Sequence, residues 1–475
     1  MIRVTERSQR TCNLKYDEHK TRRQRQGISD INQTYDVEMF MMRPNTALFF
    51  SALALGLFGN SALAAKTQIT FLYSDDDPEL VHFMEQKVKS FSQSNERIDV
   101  NFVSTGYNAL QTQLPMQLAA GLGPDIAKTT QMGLLGYTLD LRPYLKDPAA
   151  FEKRYSAGIE KIMRVKGVHK ADALPGFVAS WTADLPFVNV TLFEQAGVPL
   201  PQPGYTIDDL MKASKLVAEK TGVHIPFTID RSGFRFSGPA YSYGARYDKD
   251  GLINFPDAAA QQWIKDLKRW SDEGVFPREM WGAAGGGQYK SMADDFVNGN
   301  IVTYFSGNWL LNQFSKQIGD GFDWKVLPAP CKEKCISMGG ATFIMPFTTT
   351  KHPQEVAEFM EWLSSEPLQR EIAERFNIIV GADIADLHYQ TKDKHVIDGL
   401  NTAREEIKKI PSYVFDWERM ESLGANELYP IILTRFTQYL NDQVSFDEYL
   451  RLTSNDVKRL NETIATNQQQ RKNAP

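Results

Sequence analysis

"KTQITFLYSDDDPELVHFMEQKVKSFSQSNERIDVNFVST", residues 66–105, changes its periodicity twice. β-branched and aromatic residues crowd 66–74. Leu80, Phe83, Met84, Val88 and Phe91 then recur at helical spacing, and 98–105 alternates apolar with polar. Strand, amphipathic helix and strand in that order make a β-α-β unit, which requires a parallel sheet with a helical crossover.

Downstream the alternation continues. "LFEQAG" (192–197) and "TIDDLMKASKLVAEKTG" (206–222) read as helices, the second with Thr206 as N-cap and Gly222 as its stop. Helical patterns also cover 256–274, 352–376 and 445–470. Trp263 and Trp270, seven apart on one such pattern, Trp362 beside Phe359 and Leu363, and Trp324 in an apparent strand are read as core. At 475 residues, 42% hydrophobic and 11% aromatic, the chain can fill two or three folding units. The class is α/β.

The first 64 residues read differently. Arg43, the apolar run "ALFFSALALGLF" (47–58) and small residues at Ala62 and Ala64 have the order of a cleavable signal peptide over 41–64. The run is shorter than the roughly 20 residues a membrane-spanning helix needs. Residues 1–40 are polar and basic, and translation is expected to start at Met41 or Met42. Taking the nine basic and six acidic residues of 1–64 from totals of 53 and 58 leaves 44 against 52, a net of about −8. That balance excludes a nucleic-acid partner.

Cys12 lies in the leader, which leaves Cys331 and Cys335 in "APCKEKCIS". In an exported chain the simplest state for two close cysteines is a disulfide. A zinc pair is the rival, but no histidine lies within fifteen residues and no metal site is expected. No cysteine stands at the cleavage site to carry a lipid, so the expected location is the Gram-negative periplasm, free of a lipid anchor.

Four segments carry a family resemblance. "LQTQLPMQLAAGLGPDIAKTT" (110–130) with "LDLRPYL" (139–145) resembles the first-lobe signature of the maltose-binding-protein family, the sugar-binding proteins of ABC importers. "LPGFVASWTADLPFVNVTLFEQAG" (174–197) and the proline-rich turn after it are similar to that family's crossover. "MADDFVNGNIVTYFSGNWLL" (292–311) and "MGGATFIMPFTTTKHPQEVAEFMEWLSSEPLQ" (338–369) resemble its later motifs, in the same order. The chain departs from the pattern at Phe187-Val188-Asn189, where Tyr-Asn is common, and at "FNIIVGADIA" (376–385), where Leu-Pro is common.

The resemblance implies a two-lobe periplasmic binding protein of the Venus-flytrap, class II type, with parallel-rich sheets flanked by helices and three hinge crossings. Residues 65–178 with about 341–395 are expected to form one lobe, and 179–340 with about 396–470 the other. Crossings are expected near Val178 to Ser180 and Gly339 to Ala341. The ligand would be a carbohydrate held between the lobes and passed to an inner-membrane permease driven by a cytoplasmic ATPase. The protein would act as a monomer without cofactor.

A pyranose offers one apolar face and a rim of hydroxyls, so its site needs flat aromatic surfaces and in-plane hydrogen-bonding groups. "FSGNWLL" (305–311) puts Trp309 and Asn308 just past a strand, and Trp309 matches the family's stacking position. Trp417, expected in a loop, Trp181 beside the first crossing and Trp281 in a glycine-rich region are further candidates; burial in the core is the competing reading for each. Polar partners are expected from loops after strands: Ser74, Asp75, Asp76 and Asp77, with one of these aspartates capping the next helix, Tyr107, and Thr129, Thr130 and Gln131. Gly340 suggests close backbone approach to ligand, or a turn that needs positive φ. Arg231 and Arg235 set a fork. An arginine facing the cleft points to an acidic sugar, while two facing solvent point to a neutral one.

A secreted glycoside hydrolase using paired carboxylates and a scaffold without ligand remain as alternatives. H-E-x-x-H, G-x-S-x-G and phosphate-loop motifs are absent, and "GAAGGGQYKS" (282–291) lacks the Gly-Lys-Ser/Thr order.

Overall fold

The computed structural model describes residues 65–166, 168–282 and 289–472. The leader and signal segment expected over 1–64, and residues 283–288 of the glycine-rich stretch, lie outside the described residues. Among the described residues ten strands follow in chain order: β1 (Thr67–Tyr73), β2 (Ile98–Ser104), β3 (Ile126–Thr129), β4 (Phe177–Asn189), β5 (Ile225–Ile229), β6 (Asp248–Lys249), β7 (Leu252–Ile253), β8 (Ile301–Gly307), β9 (Trp324–Val326) and β10 (Gly339–Pro346).

The 66–105 stretch folds as its pattern requires. β1 and β2 pair in parallel from Thr67 opposite Ile98 to Tyr73 opposite Ser104. The helix between them, Pro78–Ser94, buries Leu80, Phe83, Met84, Val88 and Phe91. Asp77 caps it by accepting from the Glu79 amide at 2.9 Å, and Pro78 occupies a first-turn position that needs no N–H. Thr206 forms a capping box with Asp209 on helix Ile207–Thr221, and Gly222 ends that helix at φ +77°.

The main sheet runs β2-β1-β3-β10-β4-β8-β5, with β9 paired to β4. Its two ends are parallel (β1 with β2 and β3; β5 with β8), and every pairing made by β4 and β10 is antiparallel. The antiparallel centre arises because β4 leaves the first half of the molecule and β10 returns to it. Apolar cores lie on either side of this centre. Ile69, Phe71, Phe359 and Met360 belong to one side, with Leu114 and Phe343 in a second cluster there. Phe227, Phe236, Trp263 and Phe436, and a cluster around Phe187, Phe314 and Trp324, fill the other.

Two readings need correcting. The helical pattern over 352–376 is two helices, Pro353–Leu363 and Glu366–Phe376, because Pro367 can sit only in the first turn of a new helix. Trp417 is in helix Ser412–Glu421 rather than a loop. Its ring is 0% exposed in the second core, edge-on to Tyr247 at 5.5 Å between centroids.

Three stretches of chain lie side by side at the centre. Ala341 and Thr342 of β10 are in register with Trp181 and Ser180 of β4. On the other side, Ser180 bridges Val380, and the Trp181 amide donates to Ile379 O at 2.8 Å. The 376–385 segment is therefore the third stretch, and Gly381 packs so closely that a Cβ there would overlap the Val178 carbonyl. Cys331 and Cys335 are joined by a disulfide. Its loop is pinned to the start of helix Ile207–Thr221 through Cys331 N to Tyr205 O (2.9 Å) and Ile207 N to Cys331 O (3.0 Å).

Gly381→Ala must push β4 and the third stretch apart, an overpacking cost of about 1–3 kcal/mol. A lower midpoint in thermal unfolding is expected, and an unchanged midpoint would contradict this packing.

Candidate functional site

Between the two sets of cores lies a cleft of about 2000 Å³. It opens at the carboxyl ends of the parallel strands from both sides, where open α/β sheets place their ligands. Ser74, Asp75 and Asp76 follow β1; Tyr107 follows β2; Thr130 and Gln131 follow β3; Phe234 and Arg235 follow β5; Asn308 and Trp309 follow β8. Ser180, Trp181, Gly340, Ala341 and Thr342 form the central wall.

On the first side the polar groups hold one another in place. Lys128 pairs with Asp75 and also donates to Ser74 O at 3.1 Å. Gln111 Nε2 donates to Thr130 Oγ1 at 2.8 Å, and Gln131 Nε2 to Gln111 O at 2.7 Å. Asp76 stays open to the cleft, yet the protein around it, followed by Asp75, pushes its carboxyl above the ordinary value. Tyr107, 38% exposed, faces Tyr289 from the opposite side, 37% exposed, with ring centroids 6.2 Å apart.

On the second side Trp309 rests on Gly307, where any Cβ would overlap its six-membered ring. The guanidinium of Arg235 lies over the indole, 4.2 Å from its centroid. Arg235 Nε is 3.7 Å from Asp184 Oδ1 and 3.7 Å from Asp230 Oδ2. Burial works against this cation, but the two carboxylates outweigh it and hold its pKa above the ordinary arginine range. Burial pushes Asp184 up to about 7, against the pull of Arg235. Asp230 accepts from Ser306 Oγ at 2.9 Å, the Met292 amide at 3.1 Å and the Tyr304 hydroxyl.

Of the residues nominated from sequence, Ser74, Asp75, Asp76, Asp77, Tyr107, Thr130, Gln131, Trp181, Asn308, Trp309 and Gly340 line the cleft. Asn308 also has a structural task, since its Oδ1 accepts from the Ala183 amide at 2.8 Å and ties the end of β8 to β4. Four nominated residues lie elsewhere. Trp417 is core and donates from Nε1 to Tyr429 Oη at 3.1 Å. Trp281 is 1% exposed among Phe236, Phe276 and Phe436, because the short helix Arg278–Gly282 folds it inward. Arg231 is 1% exposed beneath helix Leu428–Leu440, where Nη2 reaches Thr437 Oγ1 at 3.5 Å. Thr129 is buried at the end of β3, its hydroxyl accepting from the Gln131 amide at 3.1 Å.

Phe234, Lys128, Tyr289, Glu421 and Tyr429 line the cleft without having been nominated. Phe234 and Lys128 had a readable signal, each lying within a few residues of a strand's end. Glu421 and Tyr429 had none, because their place depends on how the C-terminal helices return across the cleft. Glu421 accepts from the Tyr429 hydroxyl at 2.7 Å, and burial pushes it up to about 7.

Two α/β halves joined by three side-by-side stretches around a strand-end cleft define a two-lobe solute-binding protein. Residues 86–395 match the model of the bacterial extracellular solute-binding protein family, and the chain belongs to that family. Solved structures agree in fold. An ABC substrate-binding protein of Listeria monocytogenes in complex with cycloalternan is 18% identical, with a TM-score of 0.67 over 83% of this chain and 98% of that one. The GacH receptor of Streptomyces glaucescens, described unliganded and with acarbose, is 17% identical at 0.65 over 84% and 99%. A solute-binding protein of Thermotoga lettingae bound with α-D-tagatose is 16% identical at 0.64 over 84% and 100%. Among the described residues no helix is long and apolar enough to cross a membrane.

Because Glu421 sits near 7 in the folded protein and at 4.5 ordinarily, the folded state binds more protons in that window. Stability therefore falls as pH rises through it. Glu421→Gln keeps an acceptor for Tyr429 and cannot ionise. From about pH 5 to about pH 8 its stability relative to the natural chain should rise by on the order of 2 kcal/mol in urea unfolding; a constant difference would place Glu421 in water.

Proposed function

We propose that this protein is the substrate-binding component of a carbohydrate ABC importer, capturing a mono- or oligosaccharide in the cleft and releasing it to a permease. The observation that carries the reading is the cleft's lining. Aromatic rings from both sides (Tyr107, Tyr289, Trp309, Phe234) stand among uncommitted or half-committed hydrogen-bonding groups. Among the described residues, Gln131 Oε1, Asn377 Oδ1 and Arg235 Nε are buried without a hydrogen-bond partner. Such groups are costly in a core and expected where a polar ligand completes the pairing. The sugars in the related structures support the same class of ligand.

In this reading residues 65–178 with 341–395, and 179–340 with 396–470, move as two lobes about the three central stretches. The sugar packs against the Trp309–Arg235 surface, bonds to the 74–76 and 130–131 loops, and draws the lobes together. The closed form then presents both lobes to permease subunits in the inner membrane. The protein works as a monomer in the periplasm after removal of a signal peptide ending at Ala64, with no lipid anchor. It binds without chemistry.

Native mass spectrometry of protein purified from its own host should reveal a co-purifying saccharide, and incubation with oligosaccharides should give stoichiometric binding without products. Turnover would favour a hydrolase instead, and no thermal shift across a broad sugar panel would favour a scaffold. Trp309→Ala should weaken saccharide binding by roughly ten- to hundred-fold while the fold survives; unchanged affinity in calorimetry would remove the indole from the site.

A further inference from the structure

Arg235 is a largely buried cation of the cleft wall, and taken alone it would invite an anionic ligand. Its surroundings reverse that. Asp184 and Asp230 each stand 3.7 Å from its Nε, and both are buried behind it. Asp76 faces it from the other lobe, close enough for the two charges to interact. Tyr107 and Tyr289 are the remaining titratable groups around the guanidinium. One positive charge is thus met by three carboxyls.

The other cations of the cleft are largely committed. Lys128 is held by Asp75 and Lys316 by Glu79 at 2.9 Å, and Lys170 is an exposed residue of the lining. The terminal nitrogens of Arg235 can still donate hydrogen bonds to the cleft. The field at that point is nonetheless neutral to negative, so a group that accepts a hydrogen bond is favoured and a full negative charge is not.

We propose that Asp184 and Asp230 make Arg235 a neutral-sugar reader: the cleft selects uncharged saccharides and rejects their uronate counterparts, with Asp76 supplying the matching acceptor from the opposite lobe. This rests on the carbohydrate reading above and decides the fork that the two arginines set in the sequence.

The test compares matched pairs in which every ring exchanges its CH2OH group for a carboxylate: glucose with glucuronate, galactose with galacturonate, and galactotriose with trigalacturonate, titrated calorimetrically at about pH 8. Whichever neutral sugar binds, its uronate should bind at least about ten-fold more weakly. Asp184→Asn, which removes a compensating charge without changing shape, should narrow that gap several-fold, and Asp76→Asn should narrow it as well. Asp184→Asn should shift the neutral sugar's affinity far less than the uronate's, with thermal unfolding confirming that both variants fold. A uronate bound as tightly as its neutral partner, or a gap untouched in both variants, overturns the proposal and leaves the carbohydrate reading standing. Silence from both members of every pair overturns the carbohydrate reading and this inference together.

Discussion

The structure depends on an adjacency of three backbones. β4, β10 and the 379–381 segment lie side by side where one set of cores ends and the other begins. The apolar clusters on either side meet at this band through residues such as Trp181, Ile410 and Phe415, and each half buries enough surface to be a packed body of its own. What joins them is hydrogen-bonded backbone at the sheet's centre together with helix Ser412–Glu421, which packs on both. Packed interiors resist deformation more than a narrow band of extended chain does. Gly381 makes the band tight, because the third stretch approaches β4 too closely for any side chain at that position.

The cleft follows from the same arrangement. Parallel strands on both sides end toward the central band, so their loops converge from opposite directions. Paired groups such as Lys128 with Asp75, and Asn308 with the Ala183 amide, are fixed before any ligand arrives. A preset lining lowers the ordering cost of binding. Arg235 has the same character: an indole beneath it and two carboxylates behind it hold a guanidinium where solvent alone would let it wander.

Periodicity and capping made most of the fold legible. The 66–105 unit, the Thr206 capping box and the buried faces of Trp263, Trp270 and Trp324 needed only local rules. Where a side chain's role depended on tertiary placement, sequence gave no purchase. Trp309 and Trp417 look alike in one dimension, both near glycine, proline or strand ends. One lines the cleft; the other is sealed inside, because helix Ser412–Glu421 crosses from the 3-10 turn Met132–Tyr137 on one side to the second core on the other. Arg231 and Arg235 are four residues apart, and only the turn into helix Gly233–Ser242 decides which of them faces the cleft. Strand-end rules located the loops that line the site and could not say which residue within a loop turns outward, as Thr129 and Thr130 illustrate.

Some of the groups least comfortable in the folded state line the cleft or lie just behind its wall. Asp184 and Glu421 are held near 7 by burial, and Asp76 is also raised. Gln131, Asn377 and Arg235 keep buried polar atoms unpaired among the described residues. A core selected only for stability would replace such groups with apolar ones of similar shape. Where such atoms line the cleft, a ligand that satisfies them would return part of that lost stability on binding. Such a ligand must offer both donors and acceptors around an apolar face while adding little net charge to a wall already rich in carboxylates. A hydroxylated ring of saccharide type meets all three conditions at once.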